Sequence, residues 1–339
     1  MNQAKLYGYL LLCALFFTAC QVKKNAPDVS GIQLSVTVQR LEPLVFGMDT
    51  TQLQTALPTL ARQNDFAADY FTQLLGVNPT AVTPESAIGI KQFLASYRPV
   101  YEQVRRKYPD FKNITADIED GFKHVKYYYP PYKLPQVVTF LAPFDAPGAV
   151  LTKTHLGLGL QQFAGKDFAA YQDPQIQEMY PAYISRRFDA AYLAPAAIKA
   201  IADDIYPDQS AGRPLIEQMV EKGKAWYLAR RFMPNAPDSV LWGYTGKQIS
   251  WLQENEGNVW GYLLANENLY SVEPLTVQNY LGDAPFTQGM PETSPGNIGQ
   301  WVGLRIVEQW AEKNNNLSLQ EVLATPAKII FEGSKYRPK

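Results

Sequence analysis

The chain has 339 residues, with 31 basic and 32 acidic side chains and a formal net charge of −1. A balance so close to neutrality excludes the basic surface that is typical of nucleic-acid-binding domains. Two cysteines occur, Cys13 and Cys20, both near the amino terminus. The rest of the chain therefore offers no thiol for a disulfide, a nucleophile or a metal ligand, and we predict no bound cofactor.

The amino terminus has the pattern of a lipoprotein signal. Lys5 precedes an apolar run at residues 6–17, which is shorter than the ~20 residues that a membrane-spanning helix needs. The run ends in two small residues before Cys20, as in a lipobox, although Phe17 stands where the lipobox usually has leucine. The sequence predicts a signal peptide at residues 1–19 and diacylglycerol or palmitate on Cys20.

The residues after the lipidated cysteine are polar. Residues 20–30 include Lys23 and Lys24 and predict a flexible lipidated tether, and residues 31–339 are interpreted as one domain. Gln21 favours sorting to the outer membrane, and the lack of an acidic run favours an orientation toward the periplasm. We therefore expect a lipid-anchored protein on the inner leaflet of the outer membrane.

The predicted elements, in chain order, are mainly helices. The alternation of apolar residues from Ile32 to Gln39 predicts a half-buried strand, and residues 137–141 and 149–152 predict two more. The fold class is therefore α+β, predominantly helical, with a small sheet in the N-terminal half. Helices are predicted at 50–64, 65–76, 84–108, 115–127, 198–205, from Pro214 onward, at 249–269 and at 295–313.

Small residues predict one close helix contact. Gly299 and Gly303 are four residues apart and lie on one face of the helix predicted at 295–313. Since glycine has no Cβ, this face lets a second helix approach closely. Gly223 lies on one side of the helix that starts at Pro214, together with Met219.

The sequence contains no recognisable catalytic cluster. Neither His124 nor His155 has a second histidine at the spacing of a zinc motif, and His155 is interpreted as a structural histidine. Asp203 and Asp204 are adjacent, so their side chains point in different directions on a helix, and we interpret them as solvated. No Gly-x-Ser-x-Gly elbow and no phosphate-binding loop occur. We predict no metal site.

The densest polar and aromatic segment runs from Gln248 to Ser271. On one continuous helix, Ser250, Glu254 and Asn258 align. Two interpretations remain open: the carboxylates and amides line a cleft among the aromatic rings, or they cap helices and form a buried network. The candidate cleft or interaction residues are Trp251, Glu254, Asn255, Glu256, Trp260, Glu267 and Asn268.

The same segment resembles GldB, the family of gliding-motility lipoproteins of the Bacteroidetes. The resemblance extends in order over nearly all of the mature chain behind the lipobox. No single motif establishes the resemblance, but the set of similar stretches, in this order along the chain, is specific. The similar stretches are the first strand at 36–42, a glycine-rich turn at 156–160, and residues 183–188, 222–225, 295–303 and 334–336.

The resemblance implies a role in gliding and in type IX secretion, with membrane lipid and envelope motility or secretion proteins as partners. The resemblance assigns no catalytic residue to this sequence. We therefore expect a noncatalytic structural or assembly factor and not an enzyme. The alternative hypothesis is an envelope hydrolase or glycan-binding protein with a carboxylate-lined cleft near Glu254, Glu256 and Glu267.

The predicted order of elements is also loosely similar to zincin-like metallopeptidases, in which a strand leads to a zinc-binding helix. The helix predicted at 198–205 contains Ala202, Asp203 and Asp204 but no histidine. This second resemblance implies a zincin-like fold that lacks the zinc site.

Overall fold

The computed structural model describes residues 26–266 and 269–338. The predicted signal peptide, Cys20, the first part of the tether, Glu267 and Asn268 lie outside the described residues. The fold class agrees with the prediction, because the described chain is mainly helical and its small mixed sheet lies in the N-terminal half.

The sheet has four strands in the order β1-β2-β4-β3. The two inner strands pair in parallel, β1 also runs parallel to β2, and β3 forms an antiparallel pair with β4. In the register, Val38 lies opposite Val137 and Val138 lies opposite Gly157. The strands are β1 Val38–Arg40, β2 Gln136–Phe140, β3 Ala149–Leu151 and β4 His155–Gly159.

The inner strands are buried on both faces, which explains their nearly continuous apolar sequences. Val138, Phe140 and Leu158 are fully buried. The prediction of a glycine-rich turn at 156–160 is wrong, since these residues supply most of β4. Glycine is needed there because a Cβ at Gly157 would lie 2.5 Å from the ring of Phe66.

Helices cover the sheet and build the C-terminal half. We number them in chain order. They are α1 Glu42–Phe46, α2 Leu53–Gln63, α3 Asp65–Asp69, α4 Pro84–Ser96, α5 Arg98–Lys107, α6 Lys112–Tyr128, α7 Pro174–Met179, α8 Ala182–Ser185, α9 Leu193–Ile205, α10 Leu215–Phe232, α11 Asp238–Trp242, α12 Gly246–Glu254, α13 Glu256–Asn266, α14 Pro274–Leu281, α15 Ile298–Lys313, α16 Leu319–Ala324 and α17 Ala327–Ser334. One π-helical turn, Tyr70–Leu74, extends α3.

The first predicted strand is much shorter than its sequence pattern. The alternation is real, because Leu34 and Val36 are half-buried and their neighbours are exposed. Only the last residues join the sheet, however, since Val38 pairs with the second residue of β2. The N–H of Val36 donates instead to the carboxylate of Glu119 on α6, at 3.3 Å.

Two predicted long helices are each divided in two. The helix predicted at 84–108 breaks at Tyr97, because Pro99 lacks an N–H and its ring would clash with the carbonyl of Ala95. The helix predicted at 249–269 breaks at Asn255, whose side-chain amide donates to the carbonyl of Trp251 at 2.9 Å. Glu254 therefore ends one helix and cannot align with residues of the next.

The close helix contact is confirmed and joins α10 to α15. A Cβ at Gly303 would lie 1.7 Å from the carbonyl oxygen of Met219, and one at Gly223 would lie 2.2 Å from the carbonyl carbon of Gly303. The two backbones therefore touch. A continuous apolar core extends from Leu41 to Tyr336 around this contact. Within residues 26–266 and 269–338, no helix is long and apolar enough to cross a membrane.

The Gly303→Ala substitution tests this contact. The added methyl group has no space against the backbone of α10, so we expect a loss of at least about 2 kcal/mol in the free energy of unfolding. Gly89→Ala is the matched control, because a Cβ there meets nothing within 4 Å and helix propensity favours alanine by about 1 kcal/mol. Urea unfolding measures both, and equal midpoints would contradict the contact.

Candidate functional site

The candidate residues of the 248–271 segment fall on both sides of the helix break. Glu254 is exposed at the end of α12, and Trp251 is half-buried on the same helix. Glu256 starts α13, and Trp260 is buried one turn later. The structure therefore directs the two glutamates into different environments, one in solvent and one in a polar network.

Glu256 accepts two hydrogen bonds from distant parts of the chain. Its Oε1 accepts from Nε of Arg305 at 3.0 Å and from the hydroxyl of Tyr336 at 2.8 Å. Trp260 packs edge-on against the Tyr336 ring, with centroids 5.1 Å apart. Burial, reinforced by the charge of Glu256, raises the pKa of Tyr336 above its ordinary value, so the phenol is a neutral donor.

The network continues across three helices. Arg305 also pairs with Glu308 at 2.7 Å, and Glu308 pairs with Arg230 of α10. Arg230 pairs in turn with Asp238 at 2.7 Å, and its guanidinium carbon lies 4.8 Å from the centre of the Trp242 ring. The polar chain that begins at Glu256 thus ends on Trp242.

Trp242 lines a cleft of about 620 Å³ bounded mainly by α9, α10 and α11. We call it the α9–α10 cleft. Its volume is in the range of ligand sites, which is about 300–1,000 Å³. Apolar and aromatic side chains supply most of its surface, and they include Phe188, Ile198, Trp226, Ala229, Leu241 and Trp242.

The charged side chains at this cleft occur as opposite pairs. Lys199 lies 2.7 Å from Asp203, and Lys222 lies 2.7 Å from Asp208. A third pair joins Arg187 to Asp283 at 3.6 Å. Each of these three positive charges is therefore balanced locally, and the fourth acidic side chain of the lining, Glu221, pairs with the buried Lys224.

A buried amine is linked to the cleft through Glu221. Lys224 has a side chain only 2 % exposed, and its Nζ donates to Glu221 at 3.0 Å and to the Tyr206 hydroxyl at 3.2 Å. Burial lowers the pKa of Lys224, and the charge of Glu221 opposes that shift. A buried lysine is a candidate nucleophile or base, but here its hydrogen bonds go to protein groups.

The histidines and the aspartate pair have local partners. His124 Nδ1 lies 2.8 Å from the carbonyl oxygen of Asp120, and His155 Nδ1 lies 2.9 Å from the hydroxyl of Thr154. Asp204 is exposed and accepts from the hydroxyl of Tyr132. No group of three or more His, Cys, Asp or Glu side chains within residues 26–266 and 269–338 is arranged to hold a metal ion.

The α9–α10 cleft was not found from the sequence. Its lining comes from positions between Phe163 and Gln300, so no local pattern connects them. The available signals were Trp226 on α10 and the stretch 222–225 in the family resemblance, which supply part of the lining. Neither signal shows that α9 and α11 complete a cavity.

Fold and cleft together define a helix-rich α+β protein with a small mixed sheet and a ligand-sized cleft between helices. The chain matches a family model described as gliding motility protein GldB over residues 22–338, which is nearly its whole length. The chain belongs to this family, and the family's short name, GldB_lipo, marks it as one of lipoproteins. Membership implies involvement in gliding motility. No curated protein and no solved structure matches the chain.

Two glutamates only two residues apart provide a matched test of the polar network. Glu256→Gln removes the charge that Arg305 and Tyr336 contact, and we expect a loss of about 1 kcal/mol because Arg305 is partly exposed and keeps Glu308. Glu254→Gln changes an exposed side chain and stays within about 0.5 kcal/mol of the parent. Urea unfolding distinguishes them, and a larger loss for Glu254→Gln would refute the placement.

Asp208, at the edge of the cleft, makes the stability of the protein depend on pH. Partial burial raises the pKa of Asp208, but hydrogen bonds from Lys222 and Ser210 outweigh burial and lower it from 3.8 to about 2. The stabilisation is therefore present above about pH 4 and is lost as the pH falls toward 2. We expect Asp208→Asn to reduce the loss of stability between pH 4 and 2. Gln209→Ala, an exposed change in the same loop, keeps the parent's profile.

Proposed function

We propose that this protein is a noncatalytic structural or assembly factor for gliding motility and type IX secretion. It is attached through lipid on Cys20 and faces the periplasm from the inner leaflet of the outer membrane. Family membership supports the motility part of this proposal. The lipobox, Gln21 and the absence of an acidic run after Cys20 support the anchor and its orientation.

The observation that carries the noncatalytic role is the pairing of the interior charges. A general acid or base must reach a proton of the substrate, at about 2.6–3.2 Å or through one water. Glu256 is directed at Arg305 and Tyr336, and Glu221 is directed at Lys224 and Tyr206. These groups join helices to one another, which favours a rigid scaffold over an active site.

A clean deletion with complementation tests the proposal. We expect deletion to abolish gliding on agar and to reduce the amount of type IX cargo in the culture medium, since the proposal makes this protein a necessary part of both. The native gene restores both properties, and Cys20→Ala restores neither because the lipid anchor is lost.

The glutamine variants separate this proposal from the hydrolase alternative. The triple variant Glu254→Gln, Glu256→Gln, Glu267→Gln keeps the size of each side chain and removes its acid–base chemistry. A scaffold predicts full complementation at native protein levels, whereas a carboxylate-dependent enzyme predicts none. An intact secretome after deletion would contradict the assembly role.

A further inference from the structure

The main-chain groups of β1 point in two directions. β1 is an outer strand of the sheet and pairs in parallel with β2. Gln39 and Leu41 face β2, since the carbonyl of Gln39 accepts from the Thr139 hydroxyl and the N–H of Leu41 donates to the Thr139 carbonyl at 3.0 Å. Because successive residues of a strand face opposite sides, the N–H and C=O groups of Val38 and Arg40 point away from β2.

These outward groups are unpaired. In the part of the chain that the structure describes, residues 26–266 and 269–338, no hydrogen bond joins the main-chain N–H or C=O of Val38 or Arg40 to another group. Val36 has the same orientation two residues earlier, and its N–H donates to Oε2 of Glu119 at 3.3 Å. An acceptor is therefore already present at one end of this edge, and the next two residues have none.

The open edge faces a shallow groove of about 710 Å³ between β1 and α6. We call it the β1 groove. The charged side chains of its lining balance, with three basic and three acidic residues, so the groove does not select for a charged ligand. The residues that bound it on its two sides include Val36, Val38, Arg40, Thr115, Ala116 and Glu119.

The spacing of the open groups selects the class of ligand. The main-chain groups of Val38 and Arg40 lie two residues apart, which is about 6.6 Å along a strand. An extended polypeptide repeats its own N–H and C=O groups with the same period, so it pairs with both residues at once. An acyl chain has no hydrogen-bonding groups, and an isolated carbonyl pairs with one N–H only.

Neither this chain nor a second copy of it fits the groove well. The tether between Cys20 and the first described residue has only six residues, spans about 20 Å and begins at the predicted lipid anchor. The bond from Val36 to Glu119 places α6 on the outward side of the edge. Pairing of two β1 edges would therefore bring two copies of α6 against each other, whereas a single extended segment brings no helix.

We propose that the β1 groove binds an extended segment of a polypeptide partner, which pairs with β1 and adds a fifth strand to the sheet. The main-chain groups of the segment bond to those of Val38 and Arg40. This inference deepens the proposed assembly role and rests on it, because it names the surface that a partner contacts.

Amide hydrogen exchange at single-residue resolution, on the full lipoprotein in lipid nanodiscs, reports on the edge directly. The amides of Gln39 and Leu41 bond to β2, and those of Val38 and Arg40 are open. Relative to their intrinsic rates, we expect Val38 and Arg40 to exchange at least about tenfold faster than Gln39 and Leu41 in the free protein.

The probe is the peptide N-acetyl-Thr-Val-Thr-Val-Thr-amide, N-methylated at both valines. Methylation of alternate residues blocks one edge of the peptide, which prevents its self-association, and leaves the other edge free to pair. A few main-chain hydrogen bonds give a Kd on the order of 1 mM, so about 10 mM peptide should slow the exchange of Val38 and Arg40 about tenfold. The same peptide methylated at every residue has no free edge and should slow neither.

Two variants locate the pairing. Val38→Pro removes an N–H that has no internal partner, so the fold should persist, and the slowing at Arg40 should fall to about twofold. Ala116→Trp fills the groove from an exposed position on α6 and should abolish the slowing. Ala95→Trp is the matched control, because Ala95 is exposed on α4 and does not line the groove.

Several outcomes overturn the proposal. Equally slow exchange of Val38 and Gln39 in the free protein would show that the edge is already covered, and a dimer in analytical ultracentrifugation would assign it to a second copy. No slowing by the probe, equal slowing by the fully methylated peptide, or slowing that persists in Ala116→Trp would each sink it.

Failure of the assembly role gives a different result. Slowing by the probe without a motility defect on deletion removes the role and leaves the binding edge. A motility defect on deletion without slowing by the probe removes the edge and leaves the role.

Discussion

The contact between α10 and α15 is the constraint on which the rest of the C-terminal half depends. Gly223 and Gly303 let two backbones approach to a distance that any side chain prevents. Glycine costs each helix about 1 kcal/mol in propensity, and the apolar area buried around the contact outweighs that cost. At this distance short bonds connect the helices directly, from Trp226 to Gln300 and from Arg230 to Glu308.

Those bonds connect the predicted polar segment to the cleft. Glu256 does not line the α9–α10 cleft, but Arg305 and Glu308 connect it to Arg230, whose guanidinium lies over Trp242. A group held by several charge-assisted hydrogen bonds has few accessible orientations. The network therefore fixes the indole ring that forms one wall of the cleft.

The sequence predicted those features that depend on local pattern. Gly299 and Gly303 predicted the close contact, and the helix predicted from residue 84 does begin there, where Thr83 accepts from the N–H of Ser86. The apolar, β-branched run at 137–141 predicted a strand, and β2 is that strand. These signals are local because a glycine, an N-cap residue and a β-branched run each determine the conformation of the backbone at their own positions.

Features that depend on the neighbouring elements were missed. The alternation from Ile32 to Val38 reports which face is buried, but strand length depends on where β2 begins. The break falls at Asn255, whose side-chain amide adds a second hydrogen bond to the carbonyl of Trp251. The periodicity of the sequence carries no information on the length of β1 or on the helix break at Asn255.

The cleft shows that the role of a polar residue depends on whether it has an ion-pair or hydrogen-bond partner inside the protein. A sequence rich in Trp, Glu and Asn is compatible with both a catalytic cleft and a packed network, since both need the same residue types. A catalytic cleft and a packed network differ in which polar groups have no partner inside the protein. Here carboxylates such as Glu221 and Glu256 contact cations and phenols, whereas the neutral indole of Trp242 does not find an acceptor among the described residues. The hydrogen bonds of Glu221 and Glu256 join helices to one another, so these two carboxylates belong to the packed network.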